Sequence, residues 1–340
     1  MIKYVLAIIL LISTSLHAVT MSTDIVAGFS AFRETNTPSD DFDSALNFSV
    51  EHMLNDTLSV YSGVSSSLGQ SDLGFSLDSF DLAFNYTNTL KNYTAILGSY
   101  SINFSHYSND LSNNGSFSNV STIMNPLLFN FFTQSLISDL GVVGLNYQQS
   151  FRFLTLNTGV FNNFNSSSND TRSLGRFVNF GYKVFSSSYL SLATMQTNSF
   201  DISSSFNSDI TAWIVAYCTN FNSVKFRSYL SGLNYKTKQA NTDSVFSYLL
   251  EVATQIKKAS LTLRYDSWIP NTSDINSIYL SSPAILATSN TVLGDISRLS
   301  VSLSLPIDKM ITIQTDIIHE NYDSLDSEIV GVISYAKVGF

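Results

Sequence analysis

The chain has 340 residues and a formal net charge of −9, an acidic balance that disfavours a nucleic-acid partner. Its single cysteine, Cys218, excludes a disulfide framework within the chain. Charged residues are only 13% of the total, and past the N-terminus there is no apolar run of about 18 residues, so membrane-spanning helices are excluded.

Residues 1–18 read as a secretory signal peptide. Lys3 gives the positive start, 4–12 the apolar core, and 13–18 a small, polar stretch ending at Ala18 as the cleavage point. The core is shorter than the ~20 residues a spanning helix needs. No cysteine follows the cut directly, so a lipid anchor is not implied.

From there to the C-terminus the sequence alternates with a period of two. Leu46, Phe48 and Val50 alternate with polar neighbours, as do Phe80, Leu82, Phe84 and Tyr86. Ile96, Gly98, Tyr100 and Ile102 follow, and then Val178, Phe180, Tyr182 and Val184. Ile210, Ala212, Ile214 and Ala216 form another such set, with Cys218 on the same parity as a small apolar residue facing outward. The clearest run is Phe246, Tyr248, Leu250 and Val252. Later ones are Leu261, Leu263 and Tyr265, then Leu299, Val301, Leu303 and Leu305, then Ile311, Ile313 and Ile317. The last segment, 330–340, is strand-like and stops on the aromatic Phe340. Each run has the length and parity of a tilted strand crossing a bilayer, ~10 residues with every second one against lipid. A soluble β-helix would carry a short fixed repeat, and none is present.

Short polar turns fall near 55–56, 88–92, 148–150, 186–188, 220–222, 257–258 and 306–309. Longer links fall at 33–41, 66–74, 106–138, 162–173, 200–208, 236–243, 267–294 and 320–327. Long and short alternate strictly, so seven turns and eight links connect about sixteen strands, with fourteen and eighteen as alternatives. The fold class is all-β: a transmembrane antiparallel up-and-down β-barrel over 19–340, its short turns and both ends in the periplasm.

Parity then sorts the charges. With Val224, Phe226, Leu261, Leu263 and Tyr265 against lipid, Lys225, Arg227, Arg264 and Asp266 point inward. By the same rule Lys183, Arg298, Lys337, Asp81, Glu251 and Asp316 point inward. A lipid-facing Lys or Arg near the midplane costs ~2–4 kcal/mol, so charges on the polar parity are the mark of a correct register. Lys183, Lys225, Arg227, Arg264 and Arg298 then form a basic wall segment, or each is neutralised by an inward acid such as Glu251, Asp266 or Asp316.

The third long link, 106–138, is polar in its first half. Its second half, 123–137, holds Met124, Leu128, Phe129, Phe131 and Phe132. So much apolar surface needs a packing partner. In signal, strand number, position of the third link and terminal Phe340, the whole mature chain resembles the general porins of Gram-negative outer membranes, in architecture rather than in close sequence. That resemblance implies an aqueous channel for ions and small hydrophilic solutes, a homotrimer, lipid and lipopolysaccharide as surroundings, and a third loop that folds inward and narrows the pore. The family's third loop often carries an acidic cluster. Here Asp110 and Asp139 only flank the apolar half, so a charge-screened constriction and a plain plug of the wall both stay open.

Nothing points to catalysis or to a cofactor. HExxH, GxSxG, Walker and CxxC patterns are absent, and His52, His106 and His319 are the histidines left after signal cleavage. Two other readings remain: a carrier of hydrophobic compounds, built from the apolar parts of links 106–138 and 267–294, and a non-conducting structural or adhesin barrel. The first strand begins near Thr23, which leaves no room for the N-terminal plug that hydrophobic-compound channels use.

Overall fold

The computed structural model describes residues 19–34, 38–68, 75–102, 141–162, 174–203, 206–237, 242–271, 295–322 and 327–339. They form sixteen strands. The first eight are β1 (Val19–Glu34), β2 (Pro38–Met53), β3 (Leu58–Leu68), β4 (Phe75–Asn88), β5 (Tyr93–Ser101), β6 (Gly141–Ser150), β7 (Leu154–Asn162) and β8 (Leu174–Phe185). The rest are β9 (Ser188–Ser203), β10 (Phe206–Phe221), β11 (Val224–Thr237), β12 (Thr242–Ile256), β13 (Ala259–Asn271), β14 (Ile296–Pro306), β15 (Ile311–Tyr322) and β16 (Ser327–Gly339). Every strand pairs antiparallel with its sequence neighbours, and β1 pairs with β16, so the sheet closes into a barrel. Closure leaves no edge with unpaired amides, which is what a β structure in lipid requires.

Seven tight turns lie at one end, here called the turn end, and their chemistry is local. Asn55 Oδ1 accepts the amides of Thr57 and Leu58, both at 2.9 Å, and closes the β2–β3 turn. Asp308 Oδ1 does the same for Met310 and Ile311 at 2.7 and 2.8 Å between β14 and β15. Asn92, Asn222 and Lys257 take positive φ of 51°, 54° and 56°, the left-handed step that tight hairpins need. The N-terminal end of β1 and the C-terminal end of β16 lie at this end as well, since Val19 pairs with His52 and Val338 with Ile311.

At the opposite, link end, the strands outrun the sequence pattern. β9 and β10 continue to Ser203 and from Phe206, so most of the link expected at 200–208 is ladder. β1 and β2 likewise use most of 33–41, and β15 carries Glu320 through to Tyr322. Alternation of apolar and polar side chains marks only the part of a strand that meets lipid. A strand that rises beyond lipid into water keeps its hydrogen bonds and loses that signal. The third link, with Met124, Leu128, Phe129, Phe131 and Phe132, lies outside the described residues.

The outer surface is apolar. Phe84, Leu97, Phe180, Leu192, Leu230, Leu250, Leu263, Leu303 and Ile317 are all exposed on it. Tyrosines gather there near the turns, where Tyr93 sits 5.8 Å from both Tyr86 and Tyr147. A second group, Phe246, Tyr248 and Tyr265, stands higher on the wall, with centroids 6.4 and 6.0 Å apart. Two heights of aromatic rings match the girdles at the two faces of a bilayer.

Two parity assignments are reversed. Ile210, Ala212, Ile214, Ala216 and Cys218 face the interior, because Ile214 pairs with buried Ser231 and Cys218 with Arg227, while Trp213 is exposed outside. Tyr100 and Ile102 are also buried inside, and Leu97 faces out. In β10 both faces are apolar, so hydrophobicity alone could not tell inside from outside. On β5 the backbone is tied by Gly98, whose φ of +123° suits only glycine and which lies against the Leu82 carbonyl.

Candidate channel wall

Register lays the inward side chains in rows. Met195 lies opposite Phe177 and Ala212, Ala212 opposite Leu233, and Leu233 opposite Val245. Two residues nearer the turns, Ala193, Ile214, Ser231, Ser247, Trp268 and Ile296 form the next row. All of these are buried. The upper inner wall from β8 to β14 is therefore apolar and covered, not open to water.

Elsewhere on the inner wall, glycines set how two rings lie. Gly175 sits beneath Phe161, and Gly181 beneath Tyr189, each so close that a Cβ would strike the ring. The Tyr189 hydroxyl also hydrogen-bonds Thr155 Oγ1 across β8. These rings lie flat along the wall instead of projecting into the lumen.

Below the apolar rows runs a band of charge. Arg227 Nη1 donates to Glu251 Oε1 at 2.5 Å, and Arg264 Nε donates to Glu251 Oε2 at 3.0 Å. Glu251 is 1% exposed and the arginines 18% and 11%, so one buried carboxylate is shared by two largely covered arginine side chains. Arg298 Nε donates to Glu320 Oε1 at 2.5 Å, both side chains almost wholly buried, and Asp266 pairs with Arg298 in the β13–β14 ladder. Asp316 is buried and accepts Gln314 Nε2 at 3.1 Å. Charges this deep persist because each meets an opposite charge or a hydrogen-bond donor.

No model of a known protein family and no curated protein sequence matches the chain. Solved structures do. An anion-selective porin from Comamonas acidovorans superposes with a TM-score of 0.69 at 12% identity, covering 95% of this chain and 99% of that one. OmpF of Salmonella typhi, in complex with daunomycin, gives 0.64 at 10% identity over 95% and 98% of the two chains. OmpT of Vibrio cholerae, in its trimer form, gives 0.63 at 10% identity over 95% and 100%.

The chain has a porin barrel.

Within the porin barrel the inward charges expected from parity fall into two groups. Arg227, Glu251, Arg264, Asp266, Arg298 and Asp316 are brought together on β11 to β15, where Glu251 pairs with Arg227 and Arg264, and Arg298 with Glu320. Lys183, Lys225 and Lys337 lie nearer the turns, within three residues of the turn end of β8, β11 and β16. Asp81 pairs with Gly63 in the β3–β4 ladder, and its side chain is outside those described. Glu320, the carboxylate that holds Arg298, was missed because 320–327 reads as a link. Its parity with Asp316 and Ile318 on a longer β15 is the signal that finds it. Asn146, Asn157 and Asn179 were missed too. They are buried on the inner wall of β6 to β8, with Asn157 directly opposite Asn179. Among the described residues no group of three His, Cys, Asp or Glu is placed to hold a metal ion.

Proposed function

We propose that the protein is an outer-membrane diffusion channel for ions and small hydrophilic solutes. The observation that carries this reading is the sorting of side chains by a closed sixteen-stranded barrel: an apolar outer face, and a band of ion-paired charges across the inside. A carrier of hydrophobic compounds has no use for a band of buried arginines and carboxylates across its path. The turn end faces the periplasm, as short turns do in such barrels. Lipid and lipopolysaccharide surround the apolar wall, and the trimer form of the similar OmpT supports a homotrimer here.

We infer an inward-folding third link from the character of the wall it would meet. The covered wall of Phe177, Met195, Ala212, Leu233 and Val245 needs an apolar partner inside the barrel. The link leaves β5 beside the buried Ile102, and its stretch 123–137 is of the right character. The expectation that Met124, Leu128, Phe129, Phe131 and Phe132 fold inward and narrow the aqueous path falls on residues outside those described, and cross-linking to this wall tests it. In a Cys218→Ser background, cysteines replacing Phe131 and Ala212 or Leu233 are expected to cross-link; failure of both pairs removes the docking.

The test of the channel is single-channel recording of the refolded mature protein in a planar bilayer under a salt gradient. Stepwise openings with a definite reversal potential are expected. Silence from protein shown to be folded returns the choice to a hydrophobic-compound carrier or a structural barrel.

A further inference from the structure

The two ends of the barrel do not share its charges evenly. Take the turn end as the seven turns with the three strand residues nearest that end of every strand. Eight of the 17 Lys and Arg fall there, against three of the 26 Asp and Glu. Lys91, Arg152, Lys257, Lys258 and Lys309 stand exposed on the turns. Lys183, Lys225 and Lys337 stand on the inner face, opposite Tyr189, Ala253 and Thr312 in register. The three acids are Glu51, Asp56 and Asp308, and Asp24, opposite Gly339 in register, adds a fourth beside them. Glu51 accepts Ser59 Oγ at 2.7 Å, and Asp308 is occupied in closing its turn. Deeper in the lumen, Arg227, Arg264 and Arg298 are met by Glu251, Asp266, Asp316 and Glu320, so the field there largely cancels. A chain of net charge −9 thus carries a basic annulus at one mouth.

We propose that this mouth is a basic vestibule that concentrates small phosphate- or carboxylate-bearing anions at the turn end of the channel. The inference rests on the channel reading above and adds to it a solute class and a direction. Charges of one sign around an opening with low-dielectric walls focus their field into it and raise the local counter-ion concentration. Their reach is about 10 Å at 0.1 M salt and about 3 Å at 1 M. Because three of the lysines face the lumen, the annulus continues from the rim into the path of a solute. That favours dissolved anions over phospholipid headgroups as its ligand. A pore with one anion-rich mouth also conducts asymmetrically. Salt accumulates inside when anions are driven in from the basic end, and is depleted when they are driven out through it.

The test is single-channel recording of the refolded mature chain in a phosphatidylcholine bilayer at 0.1 M KCl, with inorganic tripolyphosphate as the probe. Orientation is read from a Ser223→Cys label on a turn, in a Cys218→Ser background. The larger current is expected with the link side positive, with a ratio of roughly twofold that vanishes at 1 M salt. Tripolyphosphate should block from the turn side at a concentration about tenfold lower than from the link side. Lys183→Gln, Lys225→Gln and Lys337→Gln together should abolish both asymmetries. If that variant does not fold, Lys257→Gln with Lys258→Gln on an exposed turn should reduce them. Symmetric current and symmetric block in open channels overturn the vestibule and leave the channel reading standing. Asymmetry that arises only when phosphatidylglycerol is added assigns the annulus to headgroups and also overturns it. Folded protein without openings removes both readings together.

Discussion

Arg227 Nη1 lies 2.5 Å from Glu251 Oε1, and that one contact ties β11 to β12 on the inside of the barrel. Because the second oxygen of Glu251 holds Arg264 at 3.0 Å, a single carboxylate fixes guanidiniums on both flanking strands. Removing it leaves two cations facing each other across a buried position. Breaking a buried pair from one side costs about 3–5 kcal/mol. Glu251→Gln is therefore expected to lower stability by about 3 kcal/mol in urea unfolding of the refolded barrel. In open channels it should shift the reversal potential toward anions. An unchanged urea midpoint together with an unchanged reversal potential would show that the cluster is neither structural nor in the path.

The face assignment gives a paired prediction on β13. Leu263 is exposed on the outer surface, and its neighbour Thr262 pairs with Ser302 on the inner one. A lysine in lipid near the midplane costs ~2–4 kcal/mol, whereas the same residue toward the lumen keeps its hydration. Leu263→Lys should therefore destabilise by about that much and Thr262→Lys by less than about 1 kcal/mol, read as unfolding free energies in the same lipid. Equal costs at both positions would contradict the register.

These two positions also show what the sequence can carry. On the half of β12 to β15 nearer the turns the outer face is apolar and the inner one charged, polar or small, as with Leu263 against Arg264 and Ile317 against Asp316, so parity reads faces and register together there. On β10 the method fails for a physical reason. Ile214 and Ala216 are apolar because they are covered inside, and Trp213 and Val215 because they meet lipid, so the period-two contrast vanishes. Partners within the charged band were legible as classes but not as pairs. Parity placed Arg298 and Asp266 inside. That Glu320 holds Arg298 depends on β15 running past the lipid boundary, where polar residues look like a loop.

Cys218 provides a direct check of that reversal. It pairs with Arg227 on one side and Tyr189 on the other, and is half-buried on the inner face near the turn end. In reconstituted protein it is expected to react with a charged, membrane-impermeant methanethiosulfonate, and the conductance should step down as the adduct enters the lumen. A thiol facing lipid would ignore that reagent and take up an apolar maleimide instead, which would return β10 to the opposite parity. The Cys218→Ser variant, inert to both, is the control.

Gly98 is the position where the backbone leaves no alternative. Its φ of +123° lies where side chains are not tolerated, and a Cβ built on it meets the Leu82 carbonyl on the neighbouring strand. The strain and the clash act together at the last strand before the long third link, beside the buried Tyr100 and Ile102. Tyr100 reaches across to the Val160 carbonyl at 3.1 Å, so a shift of β5 is felt on β7 as well. Gly98→Ala is expected to cost on the order of 2 kcal/mol or more and to slow refolding into detergent. The same substitution at Gly331, which takes no positive φ, should cost less. If the two variants unfold at the same urea concentration, the close approach of β4 and β5 is not what glycine serves there.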